Sequence, residues 1–197
     1  MCEYCGCQDI STIAELTREH DAVVAEISRA RACVRDGDVD GAVVLARRIS
    51  AILRPHTAVE EHGLFPQLAH EFPDHVASLQ REHRAIEAVL AEAAAPTLPG
   101  PAWLARLLDA MERLRDHILK EQDGLFPASL SVLDASAWAA VEAVRAHAGS
   151  GLPTAAPSAD PPHRQGQVRL RTDHEHDHDL SHEHDHDLSH EREHIHH

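Results

Sequence analysis

Between residues 10 and 148 apolar side chains return every three or four positions, the period of a helix with one buried face. Ile13, Leu16, Val23 and Ile27 mark the first such stripe, over roughly residues 10–34. "RDGDVDG" then reads as a turn, with Asp38 placed to cap a second helix striped by Leu45, Ile49, Ile52 and Val59. That stripe runs to Gly63–Pro66, where the glycine and proline predict a stop. Asp74 is a candidate cap for a third helix carrying Val76, Leu79, Ile86 and Leu90. "PTLPGP" breaks the chain, and a fourth helix follows from about residue 102 with Trp103, Leu107, Ala110 and Leu114 on one face, ending at Gly124–Pro127. "DASAWAAVEAVRAHA" predicts a short fifth helix capped by Asp134 or Ser136. No segment alternates as a strand would, so the expected fold is all-α: an antiparallel four-helix bundle with a short accessory C-terminal helix.

Each of the four long stripes carries a histidine. His20 fills a place in the row Ile13, Leu16, Val23, Ile27, and His83 does the same among Val76, Leu79, Ile86, Leu90. His56 continues Ile49 and Ile52, and His117 continues Ala110 and Leu114. All four are thereby predicted to point into the core. Glu60 and Glu121 follow His56 and His117 by four residues, one turn along the same face, and Glu87 stands in that relation to His83.

The pattern is duplicated. "HTAVEEHGLFP" at 56–66 returns as "HILKEQDGLFP" at 117–127, and "REHDAVV" at 18–24 returns as "REHRAIE" at 81–87. Counting about 1.5 Å of rise per residue from the turns brings the histidines of each helix pair to within about one turn of the same level. Four imidazoles and two carboxylates in one buried layer are costly unless something compensates them. A dinuclear metal centre does so, with imidazoles on each ion and carboxylates bridging, and mixed nitrogen and oxygen ligands suit iron, manganese or zinc. The candidate ligands are His20, His56, Glu60, His83, His117 and Glu121, with Glu87 as a seventh. Phe65 and Phe126 are expected to pack beside them, and Pro55, inside its helix, to leave the Ala51 carbonyl unpaired and kink the backbone just before His56.

The order His, His-x-x-x-Glu, His, His-x-x-x-Glu, with Leu-Phe-Pro after each glutamate, resembles the hemerythrin HHE cation-binding family over roughly residues 10–130. The resemblance implies a non-haem di-iron centre, with the four histidines as terminal ligands and Glu60 and Glu121 as bridges. Oxygen-carrying members have a further histidine where this chain has Glu87, so one iron here would carry one imidazole fewer. The Glu-x-x-His motif of ferritin-like proteins is absent from the bundle.

The two ends differ from the middle. "MCEYCGC" (within residues 1–9) offers Cys2, Cys5 and Cys7, either a metal or redox cluster or a set of reactive thiols. Cys33 lies too far along the first helix, up to about 35–40 Å, to complete a zinc site with them. Residues 148–197 turn to Pro, Asp, Arg and His, and "HEHDHDLS" at 174–181 repeats at 182–189. Such a tail predicts disorder, with His174, His176, His178, His182, His184 and His186 able to take zinc or nickel ions weakly, or to serve as a pH-sensitive solubilising tract. The bundle itself is placed at 10–147.

A net charge of −15 leaves no basic stripe for nucleic acid. No run of about 18 apolar residues would span a membrane, and the N-terminus lacks the basic and apolar regions of a signal peptide. The expected location is therefore cytoplasmic. The expected partners are metal ions and a small diatomic ligand or peroxide: binding or sensing of O2, nitric oxide or peroxide at the di-iron centre. Peroxide turnover, repair of iron–sulfur clusters, and metal storage or delivery through the Cys-rich and His-rich ends are the alternatives.

Overall fold

A computed structural model of the chain describes residues 10–95 and 100–153. These residues are helical and contain no strand. The long helices are α1 (Ser11–Arg35), α2 (Val39–Val59), α4 (Pro73–Ala91) and α5 (Pro101–Lys120); the shorter ones are α3 (Phe65–Leu68), α6 (Phe126–Val132) and α7 (Ala135–Ala148). Helix α1 packs on α2 and α5, and α4 packs on α2 and α5, so each long helix touches two others.

Local chemistry accounts for the ends. Gly37 takes a left-handed conformation (φ 74°) after α1. There the Gly37 N–H reaches the Val34 carbonyl at 3.2 Å and the Asp38 N–H reaches Cys33 at 2.8 Å, which satisfies the last turn. Asp38 then caps α2 by accepting the Gly41 N–H at 2.8 Å. Asp134 caps α7 through the N–H groups of Ser136 and Ala137. The third-helix cap differs from expectation: α4 begins at Pro73, no side chain caps it, and Asp74 sits in its first turn. Proline needs no N–H partner at that position, which moves the start two residues earlier than a cap at Asp74 would.

The Gly-Leu-Phe-Pro segments also depart from the sequence reading, because neither ends its helix. Glu60–Leu64 and Glu121–Leu125 each form a π-helical turn that leads directly into α3 and α6. The Phe65 N–H bonds five residues back to the Glu60 carbonyl, and Phe126 does the same to Glu121. An extra residue is thus inserted into each helix, beginning at the glutamate. Helix α2 runs through Pro55 to Val59.

The apolar core falls into two clusters. On every long helix a histidine stands between them. Leu16 and Val23 flank His20, Leu53 and Val59 flank His56, Leu79 and Ile86 flank His83, and Leu114 and Leu125 lie on either side of His117. Burying each Leu or Ile of these clusters is worth about 1.5–3 kcal/mol. The fold is therefore held above and below a polar layer that contributes no such stabilisation of its own.

Candidate metal centre

The structure brings all four predicted histidines and both predicted glutamates into that layer. Glu60 and Glu121 are fully buried, and the histidines are 1–4 % exposed. His20 and His56 face each other with ring centroids 4.5 Å apart, and His83 and His117 do the same at 4.5 Å. Phe126 stacks on His20 and Phe65 on His83, each at 5.7 Å, which fixes two of the ring planes. Both phenylalanines stand just past a π-turn, so the inserted residue places aromatic and glutamate together against the site.

Each glutamate divides its oxygens between the two histidine pairs. Glu60 Oε1 lies 3.3 Å from His56 Nε2, and Oε2 lies 3.4 Å from His83 Nε2. Glu121 Oε2 lies 3.2 Å from His20 Nε2, and Oε1 lies 3.0 Å from His117 Nε2. Two four-residue groups result, His20–His56–Glu60–Glu121 and His83–His117–Glu60–Glu121, each with its ligand atoms within 4.8 Å of one another. The carboxylates belong to both, which is the geometry of a bridge.

Behind the rings stand carboxylates that the sequence reading missed. His56 Nδ1 lies 3.0 Å from Glu19, His83 Nδ1 lies 3.0 Å from Glu61, and His117 Nδ1 lies 2.9 Å from Glu82. A ring that donates its Nδ1–H outward presents the Nε2 lone pair inward. Nε2 of His20, His83 and His117, and all four oxygens of Glu60 and Glu121, are buried with no hydrogen-bond partner. Lone pairs directed at one another in a dry layer need a cation between them. Five carboxylates surround the four imidazoles, an excess of negative charge that bound cations would offset, and the nitrogen–oxygen donor set suits a metal such as iron, manganese or zinc.

Without metal, protons take that role. Burial alone would push the His56 imidazole down, but Glu60, Glu19 and Glu121 outweigh it and hold it up at about 10. For His117 burial is likewise outweighed, by Glu121, Glu60 and Glu82, and the ring is held at about 9. His83 is raised against burial by Glu60 and Glu121, whereas burial and His56 push His20 down. Burial would raise Glu60, but His56 and His83 hold it well below the usual carboxylate range.

A small cavity of about 10 Å³ adjoins the layer, lined by the four histidines, Leu53, Thr57, Ile86, Glu87 and Leu114. Glu87 is exposed, lies outside both four-residue groups, and sits within hydrogen-bond distance (3.1 Å) of the Thr57 hydroxyl at the cavity edge. Cys33 is a half-buried free thiol near the end of α1. Cys2, Cys5 and Cys7 and the tail histidines His174, His176, His178, His182, His184 and His186 lie outside the described residues.

Among the missed carboxylates, Glu19 and Glu82 could have been found from the repeated "REH", which places an identical glutamate before His20 and before His83. Glu61 carried no such signal, since its counterpart in the second copy is Gln122. No helix among the described residues is long and apolar enough to cross a membrane.

One family model, the hemerythrin HHE cation-binding domain, matches residues 11–129. No curated protein and no solved structure matches the chain. The matched span covers α1 to α6 up to Ser129 and contains every histidine and glutamate of the two groups. On that match, and with its buried His/Glu clusters able to hold metal, the chain belongs to the hemerythrin HHE cation-binding family.

Proposed function

We propose that the chain is a non-haem di-iron protein that binds or senses O2, nitric oxide or peroxide. His20 and His56 would hold one ion, His83 and His117 the other, and Glu60 and Glu121 would bridge them. The observation that carries this reading is the division of each glutamate's oxygens between the two histidine pairs. In this reading residues 10–147 form an antiparallel four-helix bundle with α7 appended, the Cys-rich residues 1–9 and the His-rich part of the 148–197 tail take zinc or nickel, and the protein works in the cytoplasm.

Two ferrous ions would supply the electrons and open coordination positions that such ligands need. The chain's own residues decide what reaches them. The cavity of about 10 Å³ beside the histidines is near the minimum for a single water and so is far too small for an organic substrate, which leaves only the smallest ligands. Leu53, Ile86 and Leu114 keep its walls apolar, while Thr57 and Glu87 supply the polar groups at its edge. Glu61, Glu82 and Glu19 keep the ring protons of His83, His117 and His56 pointing away from the centre. Glu87 stands where oxygen-carrying relatives have a histidine, and it is the candidate seventh ligand only if it turns inward from Thr57.

The test is anaerobic loading of the full-length protein with Fe(II), followed by admission of air while the visible spectrum is recorded. A doubly substituted Glu60→Ala/Glu121→Ala chain serves as reference, because it keeps any metal held by the ends. Two irons more than the reference, with a new ligand-to-metal band on oxidation, are expected. Reversal of the band under vacuum would mark a carrier, and irreversible oxidation a sensor or enzyme. Equal iron in the two proteins would sink the di-iron reading.

A further inference from the structure

Helix α7 and the four residues after it lie beyond the span that matches the family, yet they reach the back of the candidate metal centre. The contact is Arg145. Its guanidinium places Nη1 3.0 Å from Glu19 Oε1 and Nη2 2.9 Å from Glu19 Oε2, a two-pronged pair across 126 residues of sequence. Both partners are buried, Glu19 fully and Arg145 with 8 % exposure. Arg145 Nη1 also donates to the Gly149 carbonyl at 2.9 Å, and its Nε lies 3.3 Å from Glu15. Ser150 adds a hydroxyl donor 2.6 Å from Glu19 Oε1. Glu19 Oε2 then takes the Nδ1 side of His56 at 3.0 Å.

The segment that delivers Ser150 is tightly seated. Gly149 has φ 70° and ψ −160°, a backbone conformation open essentially to glycine. A Cβ on Gly151 would fall 2.5 Å from the Ala51 carbonyl oxygen and 2.5 Å from Ile52 Cα, one turn before His56. Leu152 packs on the core cluster that includes Ile49, Ile52 and Leu53.

Among the described residues no equivalent clamp serves the other histidine pair. Glu61 lies 3.0 Å from His83 with its side chain 28 % exposed, and Glu82, behind His117, is 23 % exposed and paired with the half-exposed Lys120. A fork-shaped, buried guanidinium fixes a carboxylate's orientation as well as its charge, whereas a solvated carboxylate or a lysine partner leaves it free to turn.

We propose that Arg145 is a positioning residue for the metal centre: through Glu19 it aims His56, so that retention of the ion held by His20 and His56 depends on α7, and that of the ion held by His83 and His117 does not. This rests on the two-ion reading above. Removing the guanidinium leaves Glu19 buried without its countercharge and free to turn, so the acceptor that holds the His56 Nδ1–H outward is no longer fixed. Loss of such an outer partner weakens metal binding by about 10–100-fold.

The experiment follows iron release. Full-length wild-type protein, Arg145→Met, Arg145→Lys and Ser150→Ala are loaded anaerobically with Fe(II) and chased with bipyridyl. Thermal melting of the metal-free forms reports folding separately. Irons of the centre are recognised as those missing from Glu60→Ala/Glu121→Ala. Two are expected in the wild type. In Arg145→Met one should leave about 10–100-fold faster while the other keeps its rate, with Arg145→Lys intermediate. Should Arg145→Met fail to fold, Arg145→Lys and Ser150→Ala decide, since each keeps the buried charge balanced. A lower melting temperature with both irons released at wild-type rates would reduce Arg145 to a structural contact and overturn the proposal, as would equal acceleration of both irons. Fewer than two centre irons in the wild type would instead remove the reading on which the proposal stands.

Discussion

Glu82 adjoins His83 in the sequence, yet the ring it holds is that of His117, with the Nδ1 of that ring 2.9 Å from Glu82 Oε2. Neighbouring residues on a helix point about 100° apart, so the carboxylate beside one histidine turns toward the next helix. Glu19 does the same, passing over His20 to reach His56. Substituting Glu82→Ala should therefore weaken the ion held by His83 and His117 by about 10–100-fold through His117. Equilibrium dialysis of Fe(II) checks this, and unchanged affinity would show that the carboxylate does not orient the ring.

Gln122 occupies in the second copy the place that Glu61 has in the first, and Glu61 holds His83. By the same repeat Gln122 belongs to His20. Both His20 Nδ1 and Gln122 Nε2 are buried without partners. Gln122→Glu supplies the missing carboxylate, and the ion at His20 and His56 should bind more tightly, by roughly tenfold. A slower bipyridyl release of that one iron is the readout; faster release would mean that the added charge is not oriented on His20.

Metal and protons compete for the same lone pairs. Held at about 10 and about 9 in the metal-free protein, His56 and His117 lie above the unfolded value of about 6.5. A raised imidazole stabilises the fold fully below the unfolded value and loses that contribution as pH rises through the folded one. The metal-free protein should therefore melt at progressively lower temperature from about pH 7 to pH 10. Loading at pH 7 should expel protons, and affinity should rise with pH. A pH-stat titration with Fe(II) that detects no proton release would contradict this.

The two Gly-Leu-Phe-Pro glycines sit in unlike surroundings. A Cβ at Gly63 would meet Val141 and Val144 of α7 at 3.4 Å, whereas one at Gly124 would meet nothing within 4 Å. Gly124→Ala should stabilise the protein by about 0.4–1 kcal/mol by restricting the unfolded chain. Gly63→Ala should gain less, because its methyl would arrive at the edge of contact distance from the α7 backbone with no room to spare. Denaturant melts of the two variants test that order.

Trp103 separates stability from the centre. It is 1 % exposed, donates its indole N–H to the Val89 carbonyl at 3.0 Å, and belongs to the core cluster away from the π-turns. Trp103→Ala should cost about 3–5 kcal/mol, yet a chain still folded at low temperature should keep its iron stoichiometry. Loss of iron from the folded variant would tie the centre to that end of the core.

Helices and ligand layer were legible because both are periodic: a histidine in an apolar row of spacing three and four can face only inward. Duplication then doubled the signal, and the six residues so found meet in one layer. The π-turns were not legible, since Gly63 and Pro66 satisfy the local rules for a stop while packing of Phe65 and Leu68 continues the helix. Asp74 failed as a cap for a similar reason, with Pro73 already serving as the first helical residue. Arg145 lay beyond inference because the pair it makes spans 126 positions and leaves no periodic trace.

Each shared glutamate takes one histidine from its own helix and one from the other half of the repeat: Glu60 from His56 and His83, Glu121 from His117 and His20. A single helix pair thus owns two imidazoles and one carboxylate but no complete pocket for an ion. The centre is an interface, comparable to a metal site on the axis of a homodimer whose two subunits have been joined into one polypeptide. Apolar contacts already hold the halves together, so ion capture should tighten that association, and metal should raise the stability of the seam between them.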